Sequence, residues 1–225
     1  MKRITVLLAD DHQLMREGLR MVLELEKDLQ IVGEAEDGRQ AVALVKQLRP
    51  AVVLMDIAMP LLNGLEATRQ IRKQSPDTKV LILSAHGHAA FVKQVTKLGA
   101  AGYLLKQTSS AVVARAIREV QKGNTFFSPS LARGLPAGGP KPLPRAGLDK
   151  QTGNSLSSRE VEVLQLIAEG QSNKQVAAEL GLSFKTVDKY RQQLMGKLNI
   201  HDVASLTRYA IAEGIIESHD RGTIG

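Results

Sequence analysis

At 225 residues the chain is long for one typical domain and comfortable for two, each able to bury its own core. With 43% hydrophobic and 24% charged residues it reads as globular and not disordered, and no apolar run reaches the length of a membrane span. The absence of cysteine excludes disulfides and thiolate metal sites, which suits a reducing compartment, and Met1-Lys2-Arg3 leads into a strand with no apolar leader.

Taken in chain order, four short apolar runs each end on a polar landmark. Ile4–Ala9 leads into Asp10-Asp11, Val52–Met55 into Asp56, Val80–Leu83 into Ser84, and Tyr103–Leu105 into Lys106. Stretches with helical spacing separate them, such as Leu14, Leu19 and Val22, or Ala41, Leu44 and Leu48. Strand and helix alternating five times predict a parallel five-stranded sheet covered by helices on both faces. Residues just past the carboxyl ends of such strands meet in one crevice. Three carboxylates, a hydroxyl and an ammonium are therefore expected to share a small pocket. The acids would repel one another there without a hard cation, and oxygen ligands point to magnesium. Each residue alone has a plainer reading: a strand-end Asp as a helix cap, Lys106 and Ser84 as solvated surface groups, Tyr103 as sheet packing. Their joint occurrence at successive strand ends favours the site. His86 and His88 read as surface residues and not as ligands.

This arrangement resembles a response-regulator receiver domain, over roughly residues 2–122. The resemblance implies a flavodoxin-like, doubly wound fold in which Asp56 accepts a phosphoryl group. It also implies Mg2+ held by Asp10, Asp11, Asp56 and the backbone carbonyl of Ala58, phosphoryl contacts from Ser84 and Lys106, and Tyr103 as a switch aromatic. Met59-Pro60 and Gly64 fit the family's loop pattern Asp-x-x-Met-Pro-x-x-x-Gly after the acceptor. Gln107 departs from it, standing where many members carry Pro after a cis bond.

Helical periodicity stops near Lys122-Gly123, and Gly134–Gly147 (GLPAGGPKPLPRAG) is dominated by Gly and Pro. The expected domains are residues 1–123, a flexible linker 124–154, a second domain 155–219 and a tail 220–225. The second domain reads as wholly helical. Ser157-x-x-Glu160 and Ser172-x-x-Gln175 are capping-box signatures, with Gly170 and Gly181 as stops. A third helix is predicted over Phe184–Leu198 and a fourth from Val203 to about Glu213, ending at Gly214. Two short helices, a glycine turn and a long third helix fit a helix-turn-helix.

The net charge of +7 is a poor guide to partners. Residues 1–122 hold 18 Lys and Arg against 13 Asp and Glu, whereas residues 155–225 hold 8 against 9. Within 183–198, however, there are four Lys/Arg and one Asp, so positive charge is concentrated where a groove-reading helix needs it.

Residues 155–216 resemble the four-helix DNA-binding domain of LuxR-type regulators, through the strings LSSREVEVLQLIAEG, SNKQVAAELGLSFKTVDKYRQQLMGKL and YAIAEGII. The resemblance implies that the helix holding Thr186-Val187 enters the major groove and that the fourth helix mediates dimerisation. Asp188, Lys189 and Gln192 are then expected at base edges, and Lys174, Lys185, Thr186, Arg191 and Lys197 at phosphates. Tyr190 stands where many members have His. Together the halves are similar to a NarL/FixJ-type two-component response regulator. That implies a non-enzymatic bacterial transcription factor in the cytoplasm, phosphorylated by a histidine kinase, dimeric on activation and bound to double-stranded promoter DNA, with no membrane partner. Phosphorylation is expected to draw Ser84 inward and let Tyr103 fill the space it leaves. Two other readings are an aspartate-nucleophile phosphatase, whose nucleophile would follow the first strand, and a module whose last domain binds protein.

Overall fold

The structure, a computed structural model, describes residues 3–85, 92, 95–128, 131 and 156–216. The chain divides into two compact units, Met1–Gln151 and Thr152–Gly225. The first contains strands β1 (Ile4–Ala9), β2 (Leu29–Ala35), β3 (Val52–Asp56), β4 (Lys79–Ser84), β5 (Gly102–Leu105) and β6 (Phe126–Phe127). Its helices are α1 (Gln13–Glu24), α2 (Gly38–Leu48), α3 (Gly64–Gln74) and α4 (Ser110–Gln121), and residues 92 and 95–97 are also helical.

All strand pairs are parallel, in the order β2-β1-β3-β4-β5-β6. Alternate residues along each strand enter opposite cores, as the period of two requires. Leu7, Val53, Met55, Val80 and Ile82 pack with Ala41 and Val45 of α2 and Leu65 and Ile71 of α3. Val6, Leu8, Leu54, Leu81 and Leu104 pack with Leu23 of α1 and Val113, Ile117 and Val120 of α4. Strands buried on both faces read as unbroken apolar runs, which is what makes them visible in the sequence. Of the helical positions expected to face inward, Leu19, Val22, Ala41 and Leu44 do so, but Leu14 is 85% and Leu48 37% exposed.

The sheet has six strands where five are expected. Phe126–Phe127 falls in the expected linker but pairs with the open edge of β5, with Phe126 N–H donating to Ala101 O at 3.1 Å and Ser128 N–H to Tyr103 O at 3.0 Å. Two residues carry no readable alternation; an edge of unpaired backbone groups recruits them. The Ser128 hydroxyl, buried, also accepts from Leu105 N–H at 2.9 Å. Gly134–Gly147, the tail 220–225, His86 and His88 lie outside the described residues.

The second unit holds α5 (Ser158–Ala168), α6 (Asn173–Leu180), α7 (Phe184–Leu198) and α8 (Val203–Ala212). Both expected capping boxes form, Ser157 with Glu160 and Ser172 with Gln175. Gly181 ends α6 at φ 62°, the left-handed conformation in which glycine avoids a side-chain clash. Val163, Leu164, Leu166 and Ile167 of α5 are buried, as are Val176 and Leu180 of α6, Val187 and Leu194 of α7, and Leu206 and Ala210 of α8.

Candidate functional site

The order of the sheet reverses at β1, which lies between β2 and β3, so a crevice opens beyond the carboxyl ends of β1 and β3. Asp10 follows β1 and Asp56 ends β3, each 2% exposed. Ser84 ends β4, also 2% exposed, and Lys106 follows β5 with its backbone N–H donating to Ser84 O at 2.8 Å. Lys106 Nζ donates to Asp56 Oδ2 at 2.8 Å and lies 2.9 Å from Asp10 Oδ2. The other Asp56 oxygen accepts from Ile57 N–H at 2.8 Å. Four of the expected groups thus converge, from four strand ends.

The loop after Asp56 depends on Gly64. A Cβ there would stand 1.8 Å from Asp56 O, so only glycine lets α3 begin this close to Asp56. Gly64 N–H donates to Ile57 O at 2.8 Å, closing the loop that contains Ala58 and Met59-Pro60. Ala58 is partly exposed on that loop. Every described peptide bond is trans, Lys106-Gln107 included.

Burial first, and then the negative charge of Asp10, push the Asp56 carboxyl up to about 7, with Lys106 pulling the other way. Burial works against the Lys106 charge, but the Asp56 and Asp10 carboxylates outweigh it and hold the ammonium above the ordinary lysine range. One ammonium thus faces three acids. Asp10 Oδ2 and Asp11 Oδ1 are buried oxygens that accept no directed hydrogen bond, although Lys106 Nζ and His12 Nδ1 lie at 2.9 and 2.7 Å from them. Ligand atoms of Asp10, Asp11, His12 and Asp56 all lie within 4.8 Å of one another. Hard oxygens gathered at this spacing, with a single ammonium shared between Asp10 and Asp56, fit a divalent cation such as magnesium.

Tyr103 is fully buried and shares a hydrogen bond with Ser84. Burial, above all, raises its hydroxyl above the ordinary tyrosine range.

Two residues of this site went unread in the sequence. His12, 60% exposed, directly follows the acidic pair; its Nδ1 lies 2.7 Å from Asp11 Oδ1. Its position beside two acids was a usable signal. Arg16 of α1 is buried and donates through Nη1 to Asp10 O at 2.6 Å and through Nη2 to Glu36 Oε1 at 3.0 Å. It anchors the backbone that carries the acids, a role visible only once α1 is laid against β1 and β2.

In the second unit Lys174, Lys185, Lys189 and Gln192 are exposed, while Thr186, Asp188, Tyr190 and Arg191 are half-buried. Thr186 caps the start of α7 with Ser183, whose Oγ accepts from Thr186 N–H at 3.1 Å. Arg191 Nη1 donates to Asn173 Oδ1 at 3.2 Å. Lys197 has a structural partner that the sequence did not announce. Its Nζ lies 2.7 Å from Oε2 of Glu160, a 4%-exposed carboxylate that also closes the α5 capping box.

Residues 6–118 match the family described as response regulator receiver domain, and residues 154–210 match bacterial regulatory proteins, luxR family. The chain belongs to the response regulators with a luxR-family DNA-binding domain. It is 35% identical over 230 residues to the transcriptional regulatory protein DegU of Brevibacillus brevis, covering 96% of each chain. To the response regulator UvrY of Escherichia coli it is 38% identical over 212 residues, 94% of this chain and 95% of that one. Among solved structures, the RcsB response regulator in complex with DNA superposes with a TM-score of 0.56 at 27% identity, over 92% of this chain and 98% of that one. The receiver domain of NarL from Mycobacterium tuberculosis gives 0.54 at 37% identity, over 55% of this chain and all of that one. These relatives establish a two-component response regulator with a DNA-binding domain, in agreement with the sequence reading.

Proposed function

We propose that this regulator is switched by phosphorylation of Asp56 and binds promoter DNA as a homodimer through α7. The observation that carries the first half is the buried Asp56 carboxylate, flanked by Asp10 and met by Lys106 Nζ at 2.8 Å. An Asp56 oxygen attacks the phosphorus of a phosphohistidine on a partner kinase, or of a small acyl phosphate. The new oxygen–phosphorus bond forms as the bond to the donor's nitrogen or acyl oxygen breaks, and the donor leaves with that electron pair. Lys106 offsets charge on the phosphoryl oxygens, and Ser84 donates a hydrogen bond to one of them. Asp10, Asp11, Asp56 and the Ala58 carbonyl would hold Mg2+. Bound there, the ion would neutralise the carboxylates and offset the charge of the incoming phosphoryl group. Asp10 is also held by Arg16, which fixes the acid against its own repulsion from Asp56.

The second half is supported by exposed Lys174, Lys185 and Lys189 on α6 and α7, none of which has a carboxylate partner among the described residues. Asp188, Lys189 and Gln192 reach base edges; Lys174, Lys185, Thr186, Arg191 and Lys197 meet phosphates. The fold is read as a regulator and not a turnover enzyme, at work in the bacterial cytoplasm. No helix among the described residues is long and apolar enough to cross a membrane.

Acetyl phosphate with magnesium is expected to add one phosphate to the wild-type chain by intact mass and none to Asp56→Asn. Labelling that persists in the variant, or maps to Asp10, would transfer the nucleophile to the first strand and favour the phosphatase reading.

A further inference from the structure

Among the charges of α7, Lys185, Lys189, Arg191 and Lys197 are joined by a single acid, Asp188. A carboxylate on a helix that approaches DNA is repelled by every phosphate. Asp188 is not the helix cap, a role filled by Ser183, and it forms no ion pair with a neighbouring cation among the described residues. Its partners are neutral amides. Asn173 Nδ2, from α6, donates to Oδ1 at 3.5 Å, and Gln192 Nε2, one turn along α7, donates to Oδ2 at 3.0 Å. The Asn173 carbonyl is in turn held by Arg191 at 3.2 Å, which orients the amide. The half-buried carboxylate is thus steered from two sides. An ionised carboxylate has about four acceptor positions, so two remain for a ligand.

We propose that Asp188 reads a cytosine, accepting a hydrogen bond from its N4 amino group in the major groove, with Asn173 as a positioning residue. The choice of base follows from what each edge offers. Guanine presents two acceptors and thymine an acceptor and a methyl, both of which repel an acceptor-only carboxylate. Adenine offers one donor beside the N7 lone pair, which opposes the second carboxylate oxygen. Cytosine alone presents a donor without an adjacent acceptor on its own edge. The acid that weakens attraction to the backbone therefore selects the base. This inference rests on the placement of α7 in the major groove, and its test separates the two.

Sites are selected from random double-stranded DNA by the full-length phosphorylated protein and by Asp188→Asn, Asp188→Ala and Asn173→Ala, each checked for folding by circular dichroism. The wild type is expected to enrich cytosine at one column of each half-site. Asp188→Asn exchanges the acceptor-only group for a donor and an acceptor suited to adenine N6 and N7, and should move that column to adenine. Asp188→Ala should flatten the column and leave the others, and wild-type discrimination against a substituted base there should be about tenfold or more. Asn173→Ala should weaken that column alone, whereas loss of structure would weaken all columns together. A wild-type motif that survives unchanged in both Asp188 variants overturns the cytosine assignment and leaves α7 in the groove. Tighter binding of all sequences by Asp188→Ala, with every column intact, overturns it equally, since the acid then only repels the backbone. If the folded wild type enriches no sequence, the groove assignment falls and the cytosine proposal with it.

Discussion

Replacing Asp56 with Asn is expected to stabilise the receiver when divalent ions are absent, by an amount that grows with pH. In the wild type the Asp56 carboxyl is raised from 3.8 to about 7, through burial and the charge of Asp10. The folded state therefore holds a proton that the unfolded state has released, and stability falls as pH rises from 3.8 to about 7, then levels off. Each pH unit in that window corresponds to about 1.4 kcal/mol, which sets a ceiling of about 4 kcal/mol at about pH 8.5 and about 2 kcal/mol at about pH 5.5. Asn loses the Lys106 ion pair, although Asp10 still lies 2.9 Å from the ammonium. The net gain should be about 1–3 kcal/mol at the higher pH, about half that at pH 5.5, and close to zero near pH 4. Calorimetry of the full chain in a chelator, with the receiver transition identified by its response to magnesium, measures it. A ligand that binds only the folded state stabilises by about 2.7 kcal/mol at roughly a hundred times its dissociation constant. Magnesium should therefore erase or reverse the variant's advantage. A variant less stable than the wild type at about pH 8.5 in chelator, or a difference that stays flat with pH, would refute the reasoning.

Gly64→Ala should cost about 3 kcal/mol or more and abolish acetyl-phosphate labelling, because its Cβ would meet Asp56 O at 1.8 Å; a labelled, wild-type-stable variant contradicts it. Lys197→Ala should lower the melting transition of the DNA-binding unit by about 1–2 kcal/mol, because Glu160 is left buried without its cation. Burial works to raise the Glu160 carboxyl, but hydrogen bonds from Lys197 and Ser157 outweigh it and hold it below the ordinary range. That stability is present at neutral pH and is lost as pH falls through the lowered value, so a loss that is undiminished in acid argues against the ion pair. The fragment 150–225 should bind DNA more tightly than the unphosphorylated full chain, as band shifts can measure; equal affinity for the fragment and for both full-length forms would exclude control by phosphorylation.

The strands that carry the candidate site were legible because burial on both faces writes them as unbroken apolar runs, each stopping at the residue that enters the crevice. The helix-turn-helix was legible for a different reason: Ser157, Ser172 and Gly181 act through hydrogen bonds and dihedral angles within one turn of chain. What escaped depends on contacts distant in sequence. Arg16 reaches back to Asp10 and across to Glu36, and Lys197 reaches 37 residues back to Glu160. Both look like solvated cations when read locally. Phe126–Phe127 escaped because it is a strand only by virtue of the β5 edge beside it.

The missed edge strand ties the chain beyond α4 to the site. A linker free of the sheet is expected from residue 124 onward. Instead Phe127 is in register with Tyr103, and the Ser128 hydroxyl accepts from Leu105 N–H, one residue before Lys106. Thr108, two residues beyond Lys106, shares a further hydrogen bond with Ser128 at 3.0 Å. The residues on either side of Lys106 are therefore bonded to the chain that follows α4. A shift of β5 large enough to break one of those bonds would leave a buried polar group unsatisfied, at a cost of about 1–3 kcal/mol. Residues 126–128 thus belong to the hydrogen bonding of β5 and do not stand free of the sheet.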